Sequence, residues 1–192
     1  MDKKELRSSH RKLRDAMTAK EVKAYSKKIE KRIIESALFE KSTHIYLYYP
    51  LGNEVSLLEV AKYCMAQRKS IAFPKIIDGN MEFIEVHSLM EFAEGYFHVM
   101  EPIGSHVVCW EDALVLTPGV VFDGQGERIG YGKGFYDSYF KKHPDMRRMG
   151  VAYQNQIAAY IPKEVQDVAM EFLVTEDGCW NVPKELMKVQ EV

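Results

Sequence analysis

The segment "DALVLTPGVVFDGQGERIGYGKGFYD", residues 112–137, decides the fold of this chain. It begins with a short continuous apolar run at 112–119, which is typical of a parallel strand buried on both faces. It ends in a pattern that predicts a helix over 135–142, before Pro144. Five glycines lie within eleven residues between the strand and the helix. The segment therefore combines a buried strand, a glycine-rich loop and a helix, as an α/β domain does.

Strands and helices alternate along the rest of the chain. Helices are predicted at 3–17, 19–36, 55–68, 88–94 and 162–170, with a loose one from Val182 onward. Strands are predicted at 44–50, 70–74, 148–153 and 171–177. Alternation of this kind predicts a three-layer α/β/α fold, with a mostly parallel sheet and helices on both faces. No linker or repeat divides the sequence, so we expect a single domain over 1–192 that begins with a basic helical segment.

Local signals fix several element ends. Thr18 followed by Glu21 is a capping box that starts the second helix. Ser56 and Glu59 have the same spacing and predict a second capping box. Asp78-Gly79 lies between two apolar runs and predicts a β-hairpin.

Composition excludes several classes of protein. No apolar run approaches the length of a membrane span, and the first twenty residues have no apolar core like that of a secretory signal. The three cysteines are far apart and form no CxxC pair, so neither a disulfide framework nor a cysteine zinc site is indicated. These features favour a protein of the reducing cytoplasm.

Charge is unevenly distributed. Residues 1–41 carry a net charge of +6, whereas the remainder carries −8. A basic segment of this kind binds nucleic acid, a membrane surface or a small polyanion, or is simply a solvated helix face. Its first twenty residues contain no aromatic side chain, which gives the nucleic-acid interpretation little support.

The glycine-rich loop is the strongest candidate for a functional site. Glycines let a backbone approach a phosphate closely, and a following helix adds the positive end of its dipole. Lys133 supplies a point charge, Arg128 a planar fork of donors, and Asp137 a carboxylate for Mg²⁺. The loop matches neither the P-loop nor the dinucleotide-binding pattern. The alternative is a flexible surface loop without a ligand.

Other residues support a site without defining it. Glu54 follows the first strand, where ligands of α/β sheets bind, although a solvated loop acid is the alternative. Asp167 is a candidate metal ligand or an ordinary surface acid. Tyr131, Phe135 and Tyr136 flank the glycines and can stack on a flat ligand or belong to the core.

The same loop carries a family resemblance. "LTPGVVFDGQGERIGYGKGFYD" (116–137) closely resembles the signature of the 5-formyltetrahydrofolate cyclo-ligase family, also called 5,10-methenyltetrahydrofolate synthetase. That signature runs P-G-x-x-F-D and then R-[LI]-G-x-G-x-G-[YF]-Y-D. "KKELR", "GNEVS" and "IPKEVQDVAMEFLVTED" agree with it, so the resemblance covers nearly the whole chain.

The resemblance implies an activity. Members of the family convert 5-formyltetrahydrofolate to 5,10-methenyltetrahydrofolate with ATP and Mg²⁺, releasing ADP and phosphate. The formyl oxygen is phosphorylated, and N10 then attacks the activated carbon. The implied fold is a three-layer α/β one, and the implied partners are small molecules, neither nucleic acid nor a membrane. We expect a monomer.

The resemblance also implies roles for particular residues. ATP is expected to contact three N-terminal cations and the whole loop: Lys3, Lys4, Arg7, Arg128, Ile129, Gly130, Tyr131, Gly132, Lys133, Gly134, Phe135 and Tyr136. The folate is expected to contact Tyr49, Glu54, Tyr131, Gly132, Lys133, Gly134 and Phe135. Asp137 and Asp167 are expected to bind Mg²⁺, while Lys133, Arg128 and Tyr136 carry catalysis. Phe135 stands where relatives often have Tyr.

Overall fold

The computed structural model describes residues 1–95 and 99–183, and one large sheet forms its centre. The described helices are α1 (Lys3–Asp15), α2 (Ala19–Ile34), α3 (Ala37–Lys41), α4 (Leu58–Ala66) and α5 (Phe135–Lys142). The described strands are β1 (His44–Tyr46), β2 (Ser70–Ile77), β3 (Asn80–Glu85), β4 (Phe92–Glu94), β5 (Met100–Pro102), β6 (Val107–Val108), β7 (Leu114–Thr117), β8 (Val121–Asp123), β9 (Arg128–Ile129), β10 (Arg147–Val151), β11 (Ile157–Ala158), β12 (Phe172–Val174) and β13 (Cys179–Asn181).

The central sheet has the order β13-β12-β10-β7-β1-β2-β3-β6. The five strands from β12 to β2 are mutually parallel. At the edges, β13 pairs antiparallel with β12, β3 with β2, and β6 with β3. Strand β7 pairs with both β1 and β10, and all four of its residues are buried. The apolar run at 112–119 is therefore a central parallel strand, as predicted, and the mostly parallel sheet is confirmed.

Alternate residues of the strands face two separate cores. Ile45 and Leu47 pack on the side that α2, α3 and α4 cover. Tyr46, between them, packs on the other side, where α5 contributes Tyr139 and Phe140. Side chains alternate across a strand, so a sheet covered on both faces needs apolar residues at every position. The three-layer α/β/α arrangement follows from this pattern.

A second, smaller sheet supports α1. Strand β8 pairs with β9 and with β11, and this sheet lies next to α1. Leu6 of α1 is buried in a small apolar cluster with Val120, Val121, Ile129 and Ile161. Burial of one leucine side chain stabilises a contact by about 2 kcal/mol. Leu6 therefore holds α1 beside the glycine-rich loop that follows β9.

The helix predicted at 88–94 is wrong. Phe92–Glu94 forms strand β4, which pairs with Met100–Pro102. The Phe92 ring packs against Phe73 at a centroid distance of 4.9 Å and against Tyr49 at 5.3 Å. These aromatic contacts and the partner strand override the weak local helix signal.

The helix predicted at 162–170 is also wrong. Two backbone N–H groups of this region donate to partners near the glycine loop instead of to carbonyls four residues back. Met170 N–H donates to the Gly126 carbonyl, and Val168 N–H donates to Asp137. Asp167 lies in a turn, where its carboxylate accepts a hydrogen bond from Glu164 N–H at 2.8 Å.

The local signals had mixed outcomes. The capping box of Thr18 and Glu21 is confirmed. The hairpin is confirmed as well, because β2 and β3 pair across Asp78 and Gly79 with φ angles of 50° and 79°, as a type I′ turn requires. The predicted Ser56–Glu59 capping box is wrong. Glu59 N–H donates instead to the buried carboxylate of Glu30, at 2.8 Å.

Two predictions concern the ends of the chain and membranes. The loose helix predicted from Val182 onward lies almost entirely outside the described residues. Within 1–95 and 99–183, no helix is both long and apolar enough to cross a bilayer.

Candidate active site

At three positions the glycine loop has a backbone conformation that other residues rarely adopt. Gly126, Gly132 and Gly134 have φ angles of 81°, 98° and 66°, in the left-handed region that favours glycine. Gly134 is the N-cap of α5, so the exposed residues 131–134 lead directly into the positive end of that helix. A Cβ atom on Gly130 would lie 2.8 Å from Arg128 Nη1. The loop is therefore an exposed backbone strip above a buried arginine.

Arg128 ties the two ends of the loop together. Its Nη2 donates to Asp137 Oδ2 at 2.9 Å, and both side chains are largely buried. The guanidinium also lies over the Tyr136 ring, 5.4 Å from its centroid. Its Nε has no hydrogen-bond partner among the described residues. Arg128 is thus positioned below the loop, and Ile129 next to it packs into the small apolar cluster of α1.

The two predicted metal ligands are neighbours, but each already has partners. Asp137 accepts from Arg128 on one oxygen and from Val168 N–H, at 3.2 Å, on the other. The residue before Val168 is Asp167, whose carboxylate accepts from Lys3 and from Glu164 N–H. Within the described ranges, no three His, Cys, Asp or Glu side chains are arranged to hold a metal ion.

Helix α1 presents cations to the loop. Lys3 Nζ contacts Asp167 and lies 3.0 Å from Glu164 Oε2. Partial burial lowers the pKa of Lys3, but the two carboxylates raise it more, so its net pKa is above the ordinary value. Arg7 Nε donates to the Gly130 carbonyl at 2.8 Å. Lys4 is exposed on the same helix. The structure therefore bonds Arg7 to the loop and Lys3 to Asp167, the residue before Val168, whose N–H donates to Asp137.

A buried polar cluster lies at the other end of α1. Tyr131 donates to Glu54 Oε1 at 2.8 Å and accepts from Arg14 Nη2 at 2.7 Å. Burial raises the pKa of Glu54, while the Leu51 N–H and the charge of Arg14 lower it in part. Burial and the neighbouring Glu54 raise the pKa of Tyr131 to about 12, so the tyrosine stays protonated and acts as a donor.

The remaining predicted residues surround this cluster. Tyr49 lies at the carboxyl end of β1 and packs on Phe92. The Tyr136 hydroxyl is buried without a hydrogen-bond partner among the described residues. Burial raises its pKa, the Arg128 charge lowers it and the Glu54 charge raises it, so this hydroxyl lies within the fields of both Arg128 and Glu54. Phe135 is half-buried, whereas Gly132, Lys133 and Gly134 are exposed.

Arg14 is the functional candidate that the sequence patterns did not reveal. It is 3% exposed and contacts two predicted site residues. One signal was present in the sequence, because Lys3, Arg7 and Arg14 follow one another at helical spacings of four and seven.

The chain is similar in sequence to proteins named 5-formyltetrahydrofolate cyclo-ligase, and in structure to proteins named 5,10-methenyltetrahydrofolate synthetase. It is 25% identical to a probable 5-formyltetrahydrofolate cyclo-ligase of Caenorhabditis elegans over 91% of this chain and 92% of the relative. It is 26% identical to the 5-formyltetrahydrofolate cyclo-ligase of Mus musculus over 92% and 94%. The solved structure of Aquifex aeolicus 5,10-methenyltetrahydrofolate synthetase matches with a TM-score of 0.84 at 31% identity, covering 95% of this chain and 93% of that one.

A more distant structure has the same fold. The Mycoplasma pneumoniae 5,10-methenyltetrahydrofolate synthetase matches with a TM-score of 0.72 at 22% identity, covering 92% of this chain and 99% of that one. The sequence profile of the 5-formyltetrahydrofolate cyclo-ligase family matches residues 1–176, which include the loop, α1 and both candidate metal ligands. By this match the chain belongs to the 5-formyltetrahydrofolate cyclo-ligase family of enzymes.

Proposed function

We propose that this protein uses ATP and Mg²⁺ to convert 5-formyltetrahydrofolate to 5,10-methenyltetrahydrofolate at the glycine loop. The formyl oxygen attacks the γ-phosphorus of ATP and ADP leaves. N10 then attacks the activated carbon, and the oxygen departs with the phosphate. The observation that carries the proposal is the position of Tyr131, which belongs to the cation-flanked loop and also bonds the buried carboxylate of Glu54. One loop thus borders two sites of opposite charge.

The residues fit a nucleotide's phosphates. Exposed glycines lead into the N-terminus of α5, Arg7 donates to the Gly130 carbonyl, Lys133 belongs to the same loop, and Lys3 lies beside Asp167. A polyanion is stabilised by backbone N–H donors, a helix N-terminus and cations acting together. We infer that Lys3, Lys4 and Arg7 bind ATP together with residues 128–136.

The described residues fit a magnesium ion whose ligands are partly phosphate oxygens of the nucleotide. They do not fit a metal ion that is coordinated by protein side chains alone. Asp137 and Asp167 are close together, but their bonds to Arg128 and Lys3 occupy part of their capacity. Magnesium usually binds one or two carboxylates, substrate phosphates and water. When bound, it would neutralise charge on the transferred phosphoryl group. The two aspartates would hold it only in the presence of the nucleotide.

The folate is assigned to the Glu54 side of the loop. A buried carboxylate accepts hydrogen bonds from the N–H groups of the pterin ring, and Tyr49 and Phe135 supply aromatic surface for it. We infer that Gly132, Lys133 and Gly134 contact both the folate and the nucleotide.

Catalysis then consists of positioning and charge neutralisation. Lys133 stabilises charge on the transferred phosphoryl group, and Arg128 fixes the loop and Asp137. The buried Tyr136 hydroxyl, which has a spare donor, is placed to hydrogen-bond a substrate oxygen. No general base is required for the attack itself, because N10 is a neutral amine and the carbon is activated, and the proton that N10 carries leaves with the departing phosphate.

The test is direct. The protein, Mg-ATP and 5-formyltetrahydrofolate are mixed, and the near-ultraviolet absorbance of the methenyl product is followed. Lys133→Ala should abolish turnover without changing the melting temperature, while the exposed Lys141→Ala on α5 should behave as wild type. If Lys133→Ala retains the wild-type rate, the assignment of the phosphate loop is wrong. ATP binding without any product would favour a non-catalytic nucleotide-binding protein.

Three further expectations stay predictions. We infer a monomer, a cytoplasmic location and no nucleic-acid partner. Two cations of the basic segment, Arg7 and Arg14, are bonded to the loop, which leaves fewer charges for an external polyanion. Gel filtration, fractionation and a duplex-binding assay at two salt concentrations test these points in turn.

A further inference from the structure

One face of α1 runs along the whole candidate site. Lys3, Arg7, His10 and Arg14 recur at helical spacing, and each makes a long-range contact. Lys3 reaches Asp167 at the proposed nucleotide end, while Arg14 reaches the Glu54 cluster. Eleven residues of helix span about 16 Å, so a single rigid element connects the two ends.

Arg14 is bonded more tightly into this site than a surface arginine would be. Its Nη2 donates to the Tyr131 hydroxyl at 2.7 Å, and that hydroxyl donates to Glu54 Oε1 at 2.8 Å. Its Nη1 lies 3.6 Å from the same Glu54 oxygen and has no hydrogen-bond partner among the described residues. The N–H groups of a buried guanidinium are normally all hydrogen-bonded. Nη1 of Arg14 is therefore a donor that can still form a bond beside Glu54, the proposed folate contact.

Asn53, the residue before Glu54, is bonded to the end of the same helix through its side chain. The Asn53 side-chain amide donates to the carbonyls of Arg14 and Met17 at 3.2 and 3.1 Å. Glu54 Oε2 accepts from Leu51 N–H at 2.9 Å. Both the side chain and the main chain of Glu54 are therefore positioned relative to the C-terminal end of α1.

We propose that Arg14 is a positioning residue of the folate site, which orients the Glu54 carboxylate through Tyr131 and places a positive charge beside the group that accepts the pterin N–H groups. The inference rests on the proposed function, because it takes Glu54 as the folate contact.

The groups that face Glu54 support this role. Arg14 faces it from α1, Tyr131 from the loop, Tyr48 from the chain after β1, Tyr136 from α5 and Tyr153 from the chain after β10. Burial raises the pKa of each of these tyrosines, so they stay neutral. Among these groups, Arg14 supplies the positive charge that lowers the pKa of Glu54. Without it, a carboxyl group whose pKa is already raised by burial would bind a proton more readily.

The experiment measures the dissociation constant of 5-formyltetrahydrofolate by calorimetry between pH 5.5 and 8.5, without ATP. Arg14→Met should weaken binding about tenfold or more at neutral pH, and its affinity should recover as pH rises and Glu54 ionises. Arg14→Lys should restore much of the wild-type pH profile, because it keeps the charge. Arg11→Met, an exposed arginine on the same helix, is the matched control and should bind as wild type.

Two outcomes would overturn the inference. The first is that Arg14→Met binds folate with the wild-type dissociation constant. The second is that Arg14→Met loses affinity by the same factor at every pH, because that would indicate a purely structural role. If Arg14→Met does not fold, Tyr131→Phe, which removes the hydroxyl between Arg14 and Glu54, gives the same readout, and a wild-type pH profile in that variant would contradict the inference. Glu54→Gln separates this proposal from the proposed function. If Glu54→Gln binds folate as wild type, the folate contact itself is wrong. If only Glu54→Gln is impaired, the Arg14 inference alone fails.

Discussion

Arg128 and Asp137 form an ion pair of 2.9 Å that connects strand β9 to helix α5 across the exposed part of the glycine loop. The Arg128 side chain is 4% exposed and the Asp137 side chain 18%, so solvent screens the pair only weakly. The pair fixes the distance between the two ends of the loop, which lets the exposed residues between them keep one shape.

Arg128→Met should destabilise the protein by about 3 kcal/mol, because it leaves the Asp137 carboxylate buried without its cation. Denaturation by urea measures the free energy of unfolding. The double variant Arg128→Met/Asp137→Asn removes both charges and should recover a large part of the loss, yet stay inactive in the absorbance assay. Equal stability of the single variant and the wild type would show that the pair contributes nothing to the fold.

Gly126→Ala should cost at least about 2 kcal/mol, because the residue has a φ angle of 81° and a Cβ atom would lie 2.3 Å from the Met170 carbonyl oxygen. Gly124→Ala, two residues earlier, is the control. Nothing lies within 4 Å of a Cβ atom there, so its melting temperature should stay close to that of the wild type. Similar melting temperatures for the two variants would contradict this explanation.

Glu30→Gln should change how stability depends on pH. Burial raises the pKa of Glu30 above its ordinary value of 4.5, although two backbone N–H groups lower it in part. The folded protein therefore binds the proton more tightly than the unfolded chain does, and wild-type stability falls as pH rises from 4.5 through the raised pKa. Glutamine does not titrate, so Glu30→Gln should gain stability relative to wild type over this range. Thermal unfolding in steps from pH 4 to pH 7 measures the difference, and parallel curves would contradict the expectation.

Lys3→Met should raise the KM for ATP about tenfold, with a smaller change in the KM for folate, because Lys3 lies at the end of α1 near Asp167. Lys12→Met, an exposed residue on the same helix, should leave both constants unchanged. A matching rise in the folate KM would assign Lys3 to the general stability of α1 instead of to the nucleotide.

Much of the fold could be predicted from sequence, because a strand buried on both faces must be apolar at every position. Residues 112–119 show this directly, and their strand is central and parallel. The segments at 88–94 and 162–170 were mispredicted as helices, since their backbone donors are satisfied by partners that are distant in sequence, such as Gly126 for Met170. Local propensity contains no information about such partners.

The candidate site could likewise be predicted where the signal is local, and was missed where it depends on residues distant in sequence. The glycines and Lys133 form a local pattern, and that pattern alone suggested the hypothesis of a phosphate-binding loop. Arg14 was missed because an arginine in a charged helix is usually solvated. Its burial depends on Tyr131, 117 positions later in the chain. No short-range pattern encodes that contact.

The placement of α1 has a consequence for the order in which the molecule forms. Leu6 packs against strands β8 and β9, and Lys3 reaches a residue 164 positions further along. During synthesis α1 leaves the ribosome long before any of these partners exists, so it has no surface to dock on until residues 120–170 have emerged. The cations that complete the site therefore arrive by a long-range closure, which is slow compared with local folding. The enzyme acquires its binding site only after most of its sheet has been made.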